Sequence, residues 1–250
     1  MKNKLLLIEE LSKLTEERKF EGITEFCDQN LKNDPNSILL LKAKALATYE
    51  IGQIPAFSIV LECTKKILEQ SPGDIESLIL QIRTLRRLGR NDEAKKFLEL
   101  AESIEEDNPE VLVQKSSILL DEDRISEAKK VLDRLKENNP QKAFTNLGVL
   151  AFRENRYDDA LHFLSRKLDE DPHNFSAANG KVAVLYYLER YDDAVSVAEK
   201  FIEEYGERQF RMYRTLGVLH YEISQSYSSK SDEEYNYQPC VFGSRLLDES

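Results

Sequence analysis

A five-residue string, RYDDA, occurs at positions 156–160 and again at positions 190–194, an offset of 34 residues. The sequence around it keeps that offset, because residues 144–172 align with residues 178–206 without a gap. Residues 78–101 and 112–135 repeat the same design upstream. A fixed period of this length indicates an array of similar structural units.

Within each unit the apolar residues are spaced three and four apart in two blocks, separated by a short polar turn such as RENRYDD. This spacing predicts two amphipathic helices per unit. One phase of the repeat holds small residues, where a second helix must approach the first closely. These residues are Ala94, Ala128, Ala160 and Ala194. Prolines at 35, 72, 109, 140 and 172 mark another phase and are predicted to end each unit.

The composition agrees with helices, since glycine (9) and proline (7) are scarce and 41% of the residues are hydrophobic. We therefore expect an all-α protein. A single helical hairpin cannot bury its apolar face, so each unit must stack on its neighbours.

Several phased residues resemble tetratricopeptide repeats. They are the alanine near the start of the second helix, Gly148 and Gly217 within LGVL, Tyr157 and Tyr191 before the acidic pairs, and the prolines. The resemblance implies a right-handed superhelical solenoid of helix-turn-helix repeats. It predicts about six repeats and a C-terminal capping helix over residues 1–224, followed by a flexible Ser/Tyr/acidic tail at 225–250.

The resemblance also implies a concave groove lined by five positions of each first helix. In the later repeats these positions carry a small positive charge, although the chain has a net charge of -11. Aromatic and arginine side chains dominate peptide recognition, so we predict a partner segment with acidic residues. The alternative is that the arginines are only solvated and the tyrosines pack between repeats. The candidate groove residues are Arg83, Arg86, Arg87, Lys142, Val149, Phe152, Arg153, Asn179, Tyr186, Tyr187, Arg211, Arg214 and Tyr221.

One narrower family function can be tested residue by residue. Tetratricopeptide co-chaperones hold the C-terminal carboxylate of heat-shock proteins with Lys, Asn and Arg at set positions of three repeats. Only Asn146 matches, while the flanking repeats offer Val113, Ser117, Ser176 and Gly180 at the other positions. A heat-shock-protein C-terminal peptide is therefore not expected as the partner.

A seventh first helix is predicted at 208–224 without a second helix after it. It is expected to expose Met212, Tyr213, Leu216, Leu219 and Ile223. Three arrangements remain open: the tail folds back with Tyr237, Val241, Phe242, Leu246 and Leu247, another chain covers the helix (self-association included), or the cap tolerates partial exposure.

The sequence argues against several other functions. The net charge of -11 disfavours nucleic acid and anionic membranes, and no segment has the roughly 20 apolar residues of a membrane span. The three histidines share no metal-ligand spacing, and there is no phosphate-binding loop or nucleophile motif. We expect no metal, no cofactor and no enzymatic activity, with the acidic pairs placed at helix starts by the helix dipole.

Three widely spaced cysteines, Cys27, Cys63 and Cys240, fit a reducing compartment, so a cytoplasmic or nuclear location is expected. The resulting hypothesis is a non-enzymatic adaptor or scaffold that binds a polypeptide segment in its concave groove. The alternative is a structural subunit of a larger assembly, contacting partners through its convex face or its terminal helix.

Overall fold

The computed structural model describes the backbone of residues 2–205 and 210–230, and the side chains of residues 6–204 and 212–224. Its contacts divide the chain into two compact units, Met1–Gln114 and Lys115–Ser250, each considered by itself below. Within the described ranges the chain forms thirteen α-helices and one short 3-10 helix.

The helices follow one another in hairpins. In the first unit they are α1 (Lys2–Glu16), α2 (Phe20–Leu31), α3 (Ile38–Ile51), the 3-10 helix (Ile54–Ala56), α4 (Phe57–Gln70), α5 (Ile75–Arg87) and α6 (Asn91–Glu105). The unit boundary falls within α7 (Pro109–Asp121). The second unit continues with α8 (Ile125–Asn138), α9 (Pro140–Arg153), α10 (Tyr157–Glu170), α11 (Phe175–Tyr187), α12 (Tyr191–Tyr205) and α13 (Phe210–Lys230). The all-α helical-repeat prediction is confirmed.

The first helices of successive hairpins lie side by side within each unit. Helix α3 contacts α5, α9 contacts α11, and α11 contacts α13. The second helix of a hairpin packs against its own first helix and against the next one, as α10 does with α9 and α11. Each unit therefore has a layer of first helices and a layer of second helices.

The phased alanines lie at contacts between helices. Ala94, Ala128, Ala160 and Ala194 are all fully buried. Ala160 belongs to a cluster with Ala151 of α9 and Ala177 of α11, which places its methyl group where three helices meet. A larger side chain would push these helices apart. The prediction drawn from this phase is confirmed.

The turn inside each hairpin contains a residue with left-handed backbone. These residues are Arg18, Gly52, Gly89, Asp123, Asn155 and Glu189. In five of the turns the N–H of the next residue donates to a carbonyl five positions back, for example Arg190 to Leu185 at 2.9 Å. This hydrogen bond ends the first helix in the Schellman pattern. Four of the six left-handed positions are not glycine, so composition gives little sign of them.

An arginine follows four of these turns and pairs with the acidic residue three positions on. Arg90 binds Glu93 with both nitrogens of its fork, at 2.6 and 2.7 Å, and Arg124 binds Glu127 at 2.7 Å twice. Arg156 and Arg190 pair with Asp159 and Asp193 at the same spacing, each through a single carboxylate oxygen. The pair brings a carboxylate to the N-terminal turn of the second helix, where the dipole favours it. The recurrence of RYDDA thus has a structural cause in this turn.

Several boundaries differ from the sequence prediction. Pro109 and Pro140 begin the next first helix, where the missing N–H costs nothing, and so do not lie in the turn after a second helix. The second helix of the second hairpin begins at Phe57, directly after the 3-10 helix that contains Pro55. Helix α13 continues to Lys230, past the predicted end at residue 224. The rest of the predicted tail lies outside the described residues.

Candidate protein-interaction surfaces

In the first unit the candidate surface is built around Tyr49, a buried residue near the end of α3 that is only 4% exposed. The guanidinium carbons of Arg83 and Arg87 lie 4.7 and 4.0 Å from the centre of its ring. Arg87 also donates from Nη1 to the Tyr49 carbonyl at 3.2 Å, and its guanidinium lies 5.6 Å from the ring of Phe57. Helix α5 presents both arginines to one ring because they are four residues apart.

The two arginines occupy a half-buried position that concentrates positive charge. Burial lowers the pKa of Arg87, and the neighbouring Arg83 charge adds to this effect. Attraction to Tyr49 raises the pKa of Arg83, with Glu50 and Glu110 contributing. Both groups stay charged, because an arginine pKa lies far above neutral pH. Stacking occupies the flat face of a guanidinium and leaves its edge able to bind a carboxylate.

Acidic side chains at the start of α5 are already paired. Lys42 of α3 binds Asp74 at 2.6 Å and Glu76 at 2.8 Å. Asp74 also accepts the N-capping hydrogen bond from the Ser77 N–H at 2.9 Å. This ion pair joins two neighbouring first helices, while the predicted third arginine, Arg86, is half-buried on α5.

In the second unit the candidate surface is aromatic. Phe152 of α9 packs edge-on against Tyr157 of α10 and Tyr187 of α11, with ring centres 5.8 and 5.5 Å apart. The centres of Tyr157 and Tyr187 are 4.9 Å apart. Tyr187 remains 39% exposed. These rings form an amphipathic surface with a hydroxyl group at its edge.

Hydrogen bonds order the tyrosines of this cluster. The Tyr157 hydroxyl donates to Oδ1 of Asn155 at 2.8 Å. Burial and a hydrogen bond with the Tyr187 hydroxyl raise the pKa of Tyr157 to about 12. Neutral tyrosine is therefore favoured here, and the pair can offer hydroxyl groups but no charge at neutral pH.

Two predicted groove residues belong to the packing instead. Asn179 is 1% exposed and accepts a hydrogen bond from the Thr215 hydroxyl of α13 at 2.8 Å. Tyr186 is 4% exposed and packs against Tyr191, with ring centres 5.4 Å apart. The expectation that both face a groove needs correction, because neighbouring helices bury them. For Tyr186 the alternative of packing between repeats is the better description.

The remaining predicted residues are distributed over the first helices of the second unit. Lys142, Arg214 and Tyr221 are exposed, and Val149, Phe152 and Arg153 are half-buried. The side chain of Arg211 lies outside the described residues. Asn146, the single match to the co-chaperone pattern, donates to Ser116 and Ser117 at 2.7 and 2.9 Å. Its amide thus links α7 to α9.

Sequence reasoning missed Tyr49 and Tyr157 as members of these surfaces. Tyr49 stands at the twelfth position of its first helix, a predicted groove position, but its hairpin is three residues longer than the 34-residue period, since α3 begins at Ile38 and α5 at Ile75. Tyr157 opens a second helix, and the sequence identifies it only as a residue that resembles the family pattern. Both signals were available as aromatic residues on either side of a hairpin turn.

The described part of the chain contains neither a membrane-spanning helix nor a cluster of metal ligands. No described helix combines the length and apolarity needed to cross a membrane. Among the described side chains, no group of three or more His, Cys, Asp or Glu residues could hold a metal ion. The buried thiols do not change this, since burial raises the pKa of Cys27 to about 12 and also raises that of Cys63.

Two family models match the chain. The model described as tetratricopeptide repeat matches residues 89–147. The model described as anaphase-promoting complex, cyclosome, subunit 3 matches residues 121–201. The comparison with curated proteins finds no match.

Solved structures give the same fold at low sequence identity. A thermophilic tetratricopeptide repeat protein of Thermus thermophilus, TTC0263, is 15% identical with a TM-score of 0.59, over 73% of this chain and 98% of that one. Cut9 and Hcn1 form a hetero-tetramer of the anaphase-promoting complex whose matched chain is 13% identical with a TM-score of 0.62, over 95% of this chain and 47% of that one. Human IFIT1, as a dimer with m7Gppp-AAAA, is 14% identical with a TM-score of 0.66, over 86% of this chain and 52% of that one.

The fold and its surfaces define a helical-hairpin repeat protein, a class that generally mediates contacts between proteins and the building of assemblies. The 34-residue period, the buried alanines and the two family models identify the type of repeat. The chain has the fold of tetratricopeptide repeat proteins, and its residues 89–147 match the model of that family.

Proposed function

We propose that the protein is a non-enzymatic adaptor that binds an acidic polypeptide segment on its first-helix layer. The observation that carries this proposal is the pair of guanidinium groups stacked on Tyr49. The pair is ordered before any ligand binds, so little side-chain entropy is lost when a carboxylate arrives.

Electrostatics favour a carboxylate at this place. The positively charged guanidinium groups of Arg83 and Arg87 both lie over the ring of Tyr49, and burial lowers the pKa of Arg87. An anionic group would relieve the repulsion between them and would accept charge-assisted hydrogen bonds. Such bonds contribute about 1.5–3 kcal/mol each when they are well formed.

The second unit supplies a different contact. Tyr187 and its aromatic neighbours offer a rigid apolar area with exposed hydroxyl groups, the residue type that dominates binding hot spots. We expect this surface to hold apolar or aromatic side chains. The expected partner therefore combines acidic and apolar residues.

The test measures binding of a labelled acidic peptide, and of its Gln-substituted counterpart, to the full chain by fluorescence anisotropy. The double variant Arg83→Lys/Arg87→Lys keeps both charges but loses stacking and the bidentate fork. It should lower the affinity for the acidic peptide by about tenfold, because about one charge-assisted hydrogen bond is lost. The Gln counterpart should bind equally to both proteins.

A matched control is Lys96→Glu, which reverses one exposed charge on α6, a second helix of the same unit. It should leave binding of the acidic peptide unchanged at physiological salt. Equal losses in the control and in the double variant would reduce the effect to overall charge and refute the proposed site. Salt-sensitive binding of single-stranded RNA, competing with the peptide, would also contradict the proposal.

A second candidate function is a structural subunit of a larger assembly. It is favoured by the match of residues 121–201 to the model of a subunit of the anaphase-promoting complex. Exposed apolar residues on α6 offer a contact on the second-helix layer, since Leu100 and Ile104 are 42% and 41% exposed and four positions apart.

The two functions predict different variants. Leu100→Ser/Ile104→Ser should release the protein from a native complex, measured by size-exclusion chromatography of a tagged chain expressed in its own cells. Arg83→Lys/Arg87→Lys should leave that complex intact. A tagged chain that elutes alone in every case would exclude the subunit role.

A further inference from the structure

Helix α13 carries the LGVL motif of α9, but no described helix covers it there as α10 covers α9. A Cβ added to Gly148 of α9 would lie 2.6 Å from Cγ of Leu164, so α10 sits directly on this glycine. At Gly217, the matching residue of α13, no described atom lies within 4 Å of such a Cβ. The same LGVL motif is thus closed in one helix and open in the other.

The neighbouring positions show the same contrast. In the closed hairpin Phe144 stacks on Phe163 of α10 with ring centres 6.3 Å apart, and Arg166 lies 5.5 Å from the Phe144 ring. Tyr213, the counterpart of Phe144 in α13, is 43% exposed. The predicted exposure of Met212 and Leu219 is wrong, because both are fully buried in the cluster they share with α11 and α12. One face of α13 is therefore packed, and the face of Tyr213 and Gly217 is open.

The sequence after α13 contains a near copy of the segment that covers α9. Residues 163–170 of α10 read FLSRKLDE, and residues 242–249 read FGSRLLDE, so six of eight residues are identical. The identities include the phenylalanine and the arginine that contact Phe144 in the closed hairpin. The copy thus carries the side chains that an α9-like face accepts.

We propose that residues 242–249 dock on the open face of α13 as the second helix of a last hairpin. In this arrangement Phe242 stacks on Tyr213, Arg245 lies over the same ring, and Gly243 takes the place of Leu164 opposite Gly217. The occupant is the chain's own segment, because it carries the matching residues and is tethered to the helix it covers, which raises its effective concentration.

The connection is long enough. Helix α13 continues to Lys230, eight residues past Glu222, the counterpart of the last residue of α9. These eight residues lengthen the return path by about 12 Å relative to the α9–α10 hairpin. In that hairpin the path from Tyr157 to Phe163 covers about 9 Å, so the path needed here is about 21 Å in all. Phe242 lies twelve residues after Lys230, and twelve extended residues span up to about 40 Å.

The glycine in the copy makes this contact weak. Leu164 fills the space beside Gly148 and Gly180, whereas Gly243 brings no side chain to Gly217. A short segment containing glycine is a poor helix without packing. The docked segment is thus expected to be in equilibrium with a released one, which exposes the face of α13 to a partner.

The first experiment uses the absence of tryptophan from the chain. Tyr213→Trp places a single fluorophore on the open face of the full-length protein, and acrylamide quenching reports how far it is covered. Phe242→Ala/Leu247→Ala should increase quenching, since the loss of two apolar side chains that match Phe163 and Leu168 lowers the docked population by at least about tenfold. The control Tyr235→Ala/Tyr237→Ala removes two rings outside the copy and should change nothing.

Three results would overturn the proposal. They are unchanged quenching in Phe242→Ala/Leu247→Ala, an equal effect of the control, and protection of the fluorophore that grows with protein concentration. The last result would assign the open face to a second copy. Circular dichroism of each variant confirms that the solenoid is folded in every comparison.

A second experiment rebuilds the missing contact. Gly243→Leu restores the α10 sequence and should decrease quenching of the same fluorophore. Gly217→Ala alone should have little effect, because open space surrounds that position. In the double variant the gain from Gly243→Leu should be lost, because the methyl group at position 217 would clash with the new leucine side chain. A Cβ on Gly148 would clash with Leu164 in the same way. Additive effects of the two changes would show that they do not touch.

Discussion

Two aromatic corners occupy the same place in the repeat but differ in one member. Tyr49 and Phe152 each precede a left-handed turn residue by three positions, and Phe57 and Tyr157 each begin the following second helix. The third member precedes the next left-handed residue by two positions, and it is Arg87 in the first unit and Tyr187 in the second. The distances are similar, at 6.0 Å for Tyr49 to Phe57 and 5.8 Å for Phe152 to Tyr157.

The comparison shows that the repeat fixes the geometry while a single position sets the chemistry. With arginine, the corner holds a cation on the ring of Tyr49 and can receive an anion. With tyrosine, it holds a third ring and a hydroxyl group. A pair of rings serves as a platform in both units, and under the proposed function the residue placed on it selects the ligand.

The largest expected effect comes from removing the platform. Tyr49→Ala should lower the free energy of unfolding by about 3–4 kcal/mol, since a buried ring is lost and the arginines above it lose their support. Phe152→Ala should cost about half of this, because Phe152 is only half-buried. Urea denaturation followed by circular dichroism measures both. Equal losses would mean that the two corners are not packed as differently as described.

A smaller effect concerns the left-handed residues beside the third member. Gly89 has φ of 70° and no atom within 4 Å of an added Cβ, so Gly89→Ala should cost only backbone strain, about 1 kcal/mol. Glu189, its counterpart in the second unit, adopts φ of 58° without being glycine. Glu189→Gly should therefore stabilise by about 0.5–1 kcal/mol, and thermal melting can compare the two. Changes of the same sign would contradict this account of the turns.

The smallest effect is a shift in proton affinity. The pKa of Tyr157 is raised to about 12, above the usual value of about 10, so the folded state keeps its proton after the unfolded state has lost it. The corresponding stability is present below about pH 10 and is lost as pH rises toward 12. Tyr187→Phe removes the hydrogen bond and should lower the pKa of Tyr157. NMR titration of labelled tyrosine rings measures the shift, and an unchanged value would assign it to burial alone.

Much of the fold could be predicted because the period is visible in the residues themselves. The buried alanines, the paired helices and the carboxylates at helix starts all depend on contacts within or next to one repeat. The left-handed backbone at Arg18 and Glu189 could not be predicted, because neither residue type favours such a conformation.

The surfaces were less predictable for a physical reason. A repeat position tells which way a side chain points but not whether a neighbouring helix supplies a partner for it. Arg83 and Arg87 occupy predicted groove positions, yet both stack on Tyr49 of the previous repeat. Asn179 occupies a groove position but is buried by Thr215 of the next first helix. Such pairings depend on two repeats at once.

The most direct test transfers the arginine from one corner to the other. Binding of the acidic peptide and its Gln counterpart is measured for the wild-type chain, for Arg87→Tyr and for Arg87→Tyr/Tyr187→Arg. The account predicts that the preference for the acidic peptide falls by about tenfold in the single variant and returns in large part in the double variant. A preference that Arg87→Tyr leaves intact would contradict the claim that the residue on the aromatic platform selects the ligand.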